Sequence, residues 1–317
     1  METQDRKIST KRRIYRWILF ALTLAAVAWF ISRNYRLVFQ YSFEFKPLLL
    51  VLSFLSVAVA FLLRFGVWLR LASYLELEAP LPKAGRAYFL SVLARYIPGK
   101  VGLALVRVEA YQGYPAAKVV MGTGMELIAA LSAALLLAFI GLATSPAQFP
   151  TYLRWMALIA TVPLIAALSP PVLRTVTNSI LRLARRPAIE QFTPFRINIT
   201  LVGLYMIPGL VHGLGLFFLL NALSPVSGSH YLAITGSYYA ASLAGLAAFF
   251  APGGLGVREG VLFLVLPLLV PRESAIVAAI MIRLVTVLAE MALAGVFVGW
   301  AWFSHAGARD ETGSLPD

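Results

Sequence analysis

The sequence predicts an all-α polytopic membrane protein made of two inverted-topology repeats, with six full spans and two re-entrant hairpins broken at Pro-Gly (about eight membrane segments by a looser count). Three observations carry this expectation. Of the 317 residues, 60% are hydrophobic and 13% charged, and the mean hydropathy is +0.81; that composition excludes a soluble globular chain. Apolar runs of about 20 residues, the length needed to cross a bilayer, recur along the chain. Two further apolar regions are interrupted by one shared element, Pro-Gly-x-x-Gly, at Pro98–Gly102 and again at Pro252–Gly256.

In chain order, a basic cytoplasmic tail (1–13) precedes a first transmembrane repeat (14–142), a second repeat (143–303) and a cytoplasmic tail (304–317). In the first span, 14–32, the apolar run from Trp17 to Ile31 follows Arg6, Lys7, Lys11, Arg12, Arg13 and Arg16. It ends in Trp-Phe-Ile-Ser-Arg without a small-residue cleavage site, so it reads as a retained helix and not as a signal peptide. The other expected spans are 47–71, 119–142, 151–169, 197–222 and 275–303; the interrupted regions are 84–106 and 231–271. Positive charge sets the orientation. The segments 1–16, 70–86, 107–118, 170–196 and 304–317 carry seventeen Lys/Arg, against only Arg33, Arg36, Lys46, Arg154 and Arg272 on the other side. The positive-inside rule then puts both termini in the cytoplasm of a multi-pass cell-membrane protein, with loops 143–150 and 222–230 outside.

The two interrupted regions sit at matching places. A span begins about 50 residues before each proline, another begins just over 20 residues after it, and the whole pattern recurs at about 154 residues. Each half holds an odd number of full spans, so the second half must be inverted. Paired broken helices in inverted halves point to a transport site near the bilayer midplane. Glycine and proline free backbone groups that survive at that depth only when buried in protein or lining water. A helix restarting after each break, near Leu103 and Val257, would turn a positive dipole end and free N–H groups inward, which is an anion site.

The candidate binding residues follow from that geometry. Arg95, Pro98, Gly99, Lys100 and Gly102 form the first element; Pro252, Gly253, Gly254, Gly256, Arg258 and Glu259 form the second. Arg258 offers a planar fork suited to phosphate and Lys100 a point charge, while Glu259 and Glu109 would keep the cations oriented without ligand. Glu126, Arg283 and Glu290 are ionisable residues inside spans, where charge is costly and usually paired. Glu126 and Arg283 occupy nearly matching positions and are expected to pair across the pseudo-twofold axis. Glu290 lies seven residues after Arg283, on the same helix face. Arg107 and Glu109 are expected in cytoplasmic headgroup water, Arg64 alone in its span with its head snorkelling, and His212 among glycines that serve close helix packing.

Other chemistry has little to build on. Cysteine is absent, the three histidines are far apart, and the three aspartates sit in the tails. No phosphate-binding G-x-x-x-x-G-K-[S/T] loop, H-E-x-x-H or Ser/His/Asp set is present. No metal, cofactor or nucleic-acid partner is expected, and no catalysis.

At Ala94–Gly102, Glu126, Pro252–Gly260 and Arg283–Thr286 the chain resembles the transmembrane domain of the lysylphosphatidylglycerol synthase/flippase family and its stand-alone relatives, over roughly residues 14–303. The resemblance implies a lipid flippase fold and transport of a lipid with a phosphate headgroup: a phospholipid, an aminoacylated phospholipid, a glycolipid or a polyprenyl-phosphate-linked lipid. Two departures limit it. Glu126-Leu127 stands where the family usually has Glu-Arg, and no aminoacyl-transferring domain follows. Two other readings stand beside transport: a membrane glycosyl or acyl transferase using a lipid-linked donor, and a non-catalytic accessory subunit of a lipid or polysaccharide pathway. The expected partners are membrane lipids, chiefly anionic, with a homodimer or a pathway enzyme left open.

Overall fold

The computed structural model describes residues 46–94, 102–145, parts of 151–183, 194–248, 254 and 256–312. The expected span 14–32 and the two Pro-Gly cores, 95–101 and 249–253, lie outside the described residues. Those described are helical, with no strand among them. In order they form α1 (Pro47–Tyr74), α2 (Leu81–Leu93), α3 (Gly102–Ala110), α4 (Ala116–Thr144), α5 (Pro170–Leu183), α6 (Phe195–Leu223), α7 (Tyr231–Ala247), α8 (Val257–Val265) and α9 (Arg272–Thr312). Among the described residues, α1, α4, α6 and the Arg272–Ser304 part of α9 are long and apolar enough to cross a membrane. They match the expected spans 47–71, 119–142, 197–222 and 275–303.

Proline marks most of the helix starts. Pro47 and Pro82 sit in the first turns of α1 and α2, and Pro115 and Pro194 immediately precede α4 and α6. Its fixed φ is pre-set for a helix, and its missing N–H is one that a first turn leaves unpaired anyway. At its other end α1 stops where Glu76 turns left-handed at φ 58°, and the Leu77 N–H reaches back to the Ala72 carbonyl at 2.8 Å. Buried Leu77 anchors that cap.

Two groups of four helices follow one order: long, short, nine-residue, long. The long helices that open the groups, α1 and α6, pack together. They run antiparallel, because the Lys46 N–H donates to the Ala222 carbonyl and Ser53 Oγ to the Gly215 carbonyl at 2.7 Å. Four other packings have counterparts in the opposite group: α2 on α9 and α7 on α4, α2 on α3 and α7 on α8, α3 on α4 and α8 on α9, α1 on α9 and α6 on α4. Lipid gives apolar helices no hydrophobic reason to associate, so close contact between small residues has to do the work. A Cβ on Gly141 would sit 2.5 Å from the Gly236 Cα, and one on Gly213 2.1 Å from the Thr235 hydroxyl. On the matching α2–α9 contact, Gly85 makes room for the Phe297 ring, which stacks on Phe89 at 5.0 Å.

The short helices α2 and α3 return to the end they left. Tyr114 Oη donates to the Glu78 carbonyl at 2.6 Å, Lys83 Nζ to the Gln112 carbonyl at 2.9 Å, and Lys118 pairs with Glu76. These bonds join the α1–α2 and α3–α4 connections at one end of the bundle. With α2 of 13 residues and α3 of 9, their lengths of about 20 and 14 Å at 1.5 Å per residue each fall short of a ~30 Å hydrocarbon core. Since α1 and α6 are antiparallel and each runs into its short pair, the α2–α3 and α7–α8 pairs start from opposite ends.

Candidate functional site

The polar centre grows from one face of α1. Phe61, Arg64, Phe65 and Trp68 lie three, four and seven residues apart, hence on one side of the helix. Trp68 is fully buried and its indole N–H donates to Tyr111 Oη at 2.9 Å. The Arg107 guanidinium lies over the Trp68 ring at 4.1 Å and over Tyr88 at 4.9 Å. Its Nε donates to Ser91 Oγ at 3.1 Å, its Nη1 to Glu126 Oε2, and Tyr88 Oη donates to Glu126 Oε1 at 3.2 Å. Arg107 is 0% exposed.

This corrects the sequence reading at two residues. Arg107 is not in headgroup water: the Trp68 ring of α1 and the Tyr88 ring of α2 cover it, Ser91 accepts from it, and a carboxylate from α4 neutralises it. Glu109, two residues on, is exposed as expected. Both oxygens of Glu126 are taken by Arg107 and Tyr88, so Glu126 is held from within its own group of helices and not through Arg283. Arg283 is half-buried on α9, Glu290 is fully buried, and both are engaged by other partners.

A second centre forms around α7 and α8. Gly256 caps α8 at φ +80°, and its N–H donates to Glu259 at 2.7 Å. Glu259 thus binds the helix start instead of steadying Arg258, as three-residue spacing from the cap favours. Arg258 is half-buried, its guanidinium 4.4 Å over the Tyr238 ring, and it has no ion pair among the described residues. Gly254, at φ +70°, presses on the Gly245 backbone of α7, where a Cβ would come within 2.7 Å. A side chain at 254 would push α8 off α7 and move Arg258 with it. Gly102 opens α3; Arg95, Pro98, Gly99, Lys100, Pro252 and Gly253 lie outside the described residues.

An aromatic track links the centres. Tyr238 packs on His212 at 4.5 Å and edge-on to Tyr239 at 5.2 Å, and Tyr239 Oη accepts from Arg64 Nη2 at 3.3 Å. Arg64 is half-buried on α1 and reaches across to α7 through this bond. It is therefore engaged by the opposite group of helices and does not snorkel away. His212 fits the packing expectation: it is buried, edge-on to Phe61, with Gly209 and Gly213 flush against Leu137 and Thr235. Sequence reasoning missed Trp68, Tyr88, Ser91, Tyr111, Tyr205, Tyr238 and Tyr239. The available signal was aromatic residues at helical spacing from the intramembrane arginines.

Four described helices long and apolar enough to cross a membrane, around a buried Arg107 and Glu290 and the half-buried Arg64, Glu126, Arg258 and Arg283, are consistent with an α-helical membrane protein with a charged interior. The family model for the lysylphosphatidylglycerol synthase TM region matches residues 16–294, and the chain belongs to that family. No curated protein matches it. The family places the chain in the membrane and is consistent with a function related to membrane lipids.

Proposed function

We propose that the protein is a lipid transporter, without enzymatic activity, that moves a phosphate-bearing lipid between the leaflets of the cell membrane through a midplane anion site. The observation that carries this reading is Arg258. It is half-buried at the start of a helix, held by an aromatic face and by no carboxylate among the described residues. An arginine in a span is costly unless paired, and a phosphate entering at a helix start meets the guanidinium fork together with first-turn N–H groups. Four arginines (64, 107, 258, 283) face three glutamates (126, 259, 290) in the described interior, and Glu259 is spent on backbone. The surplus favours an anionic headgroup.

Alternating access is the natural mechanism. We read the two groups of helices as inverted repeats and the α2–α3 and α7–α8 pairs as re-entrant hairpins entering from opposite faces. The antiparallel α1–α6 pair and the exchange of packing partners support this. Both termini lie in the cytoplasm on this reading. The experiment is reconstitution of purified protein in liposomes with headgroup-labelled lipids. Movement of anionic phospholipid, but not of an uncharged diacylglycerol glycolipid, is expected; bilayers no leakier than protein-free ones would overturn the reading.

A further inference from the structure

The helix α5 differs in composition from the spans around it. At 14 residues it is about 21 Å long at 1.5 Å per residue, too short for a ~30 Å hydrocarbon core. Its register separates two faces. Val172, Leu173, Val176, Ile180 and Leu183 fall on one stripe, and Arg174, Asn178 and Arg182 line the opposite side four residues apart. Thr175 and Ser179 stand at the border, where their hydroxyls donate to the Pro171 and Thr175 carbonyls at 2.9 and 2.7 Å. Those hydroxyls are satisfied within the helix, so the border can meet acyl chains at little cost. Arg174 and Arg182 are exposed, and Val172, on the stripe, is 40% exposed. No acidic residue stands between 170 and 189, and Arg185 and Arg186 follow α5 in the sequence.

The chain brings this helix to a lipid-facing edge. Among residues 151–166 the described ones are helical, and Tyr152, Trp155, Met156, Ile159 and Val162 are 59–64% exposed. So large an open apolar face, at helical spacing in a membrane protein, faces acyl chains. The stretch bends at Ser169, whose N–H donates to the Ala166 carbonyl at 2.9 Å, and α5 starts at Pro170 and Pro171. A proline disfavours helix at the residue before it and suits a first turn, so one helical stretch ends there and an amphipathic one begins. Contact with α4 ties α5 to the bundle.

We infer that α5 lies in the headgroup plane of the bilayer and binds anionic phospholipid there, at a site separate from Arg258. The apolar stripe rests on the upper acyl chains, and Arg174 and Arg182 reach the surrounding phosphates. A short helix with one apolar face, one basic face and low net hydrophobicity settles in that plane, where both faces are satisfied at once. Water would leave Val172 bare, and a stripe covered by the bundle would hide it. The segment 170–196 falls on the side that the positive-inside rule gives to the cytoplasm. The leaflet on that side carries the negative surface potential that draws basic segments. The inference rests on the chain's place in the membrane and on that orientation, and it holds whether or not the protein moves lipid.

Single cysteines in the full, naturally cysteine-free chain test this in nanodiscs of mixed phosphatidylcholine and phosphatidylglycerol. Spin labels at Val172→Cys, Val176→Cys and Ile180→Cys should collide chiefly with lipid-soluble oxygen. Labels at Arg174→Cys, Asn178→Cys and Arg182→Cys should collide chiefly with an aqueous nickel chelate. Water at every position overturns the placement, and so does protection of the stripe from both reagents, which would mean that protein covers it. The charge is read with a fluorophore at Ser179→Cys, quenched by doxyl-labelled phosphatidylglycerol or phosphatidylcholine at equal mole fraction. Phosphatidylglycerol should be preferred about fivefold, the effect of one arginine near an anionic surface. The preference should vanish at high salt and in Arg174→Gln combined with Arg182→Gln. Equal quenching by the two lipids in the otherwise wild-type chain overturns the anionic-lipid site. A preference that survives the double substitution overturns the assignment to these arginines.

Discussion

Removing Arg107 is the sharpest test of how the interior is held together. Its guanidinium is 0% exposed and the Glu126 side chain 13%, so Arg107→Leu leaves a carboxylate in a nearly dry site with Tyr88 as its remaining donor. Breaking a buried pair from one side costs about 3–5 kcal/mol. The low end applies, because Tyr88 still donates to the carboxylate. Glu126→Gln keeps an oxygen that accepts from Arg107 or Tyr88 and should cost about 1.5 kcal/mol. The double variant carries neither charge and should cost about 2.5 kcal/mol, well short of the sum of the singles, a coupling of about 2 kcal/mol. Denaturant titration in micelles, followed by circular dichroism, measures all three. Additivity within ~0.5 kcal/mol would refute the pairing. Glu126→Gln combined with Arg283→Gln, by contrast, should be additive.

Gly236→Val inserts a side chain where the Gly141 Cα and the Leu137 carbonyl leave no room; overpacking of this kind costs about 1–3 kcal/mol, and the melting temperature in detergent should fall, whereas Gly203→Ala, with open space around it, should leave it within error. Exposed Ser227, in the 224–230 connection, and exposed Ser179 of α5 belong to opposite faces on the positive-inside reading. In this cysteine-free chain, Ser227→Cys should react with an impermeant thiol reagent in intact cells and Ser179→Cys should not; the reverse pattern would invert the topology.

Four of the expected spans, 47–71, 119–142, 197–222 and 275–303, were legible because lipid demands long apolar runs. Arg258 was legible as a charge beside a Pro-Gly element. Arg107 was not. From sequence it is a basic residue near a short helix's cytoplasmic end, close to Glu109 and Lys118, which suggests water. What buries it is the return of α3 beside α2 and α1, a tertiary fact carried by Tyr114, Lys83 and Lys118 at the connections. The expected Glu126–Arg283 pair failed for a related reason. Matching positions in two repeats imply symmetry and not contact, and Arg107 and Tyr88 lay closer to Glu126. Glu259 likewise read as a counter-ion to its neighbour Arg258, although its spacing from Gly256 is that of a helix cap.

The central claim is that Arg258 carries a lipid phosphate, and the direct measurement is the flipping rate of headgroup-labelled phosphatidylglycerol in proteoliposomes containing equal amounts of wild type, Arg258→Ala or Arg258→Lys. On the present account Arg258→Ala folds normally and its rate falls to that of protein-free liposomes, while Arg258→Lys keeps part of the rate because it restores charge without the planar fork. A wild-type rate in folded Arg258→Ala would contradict the account.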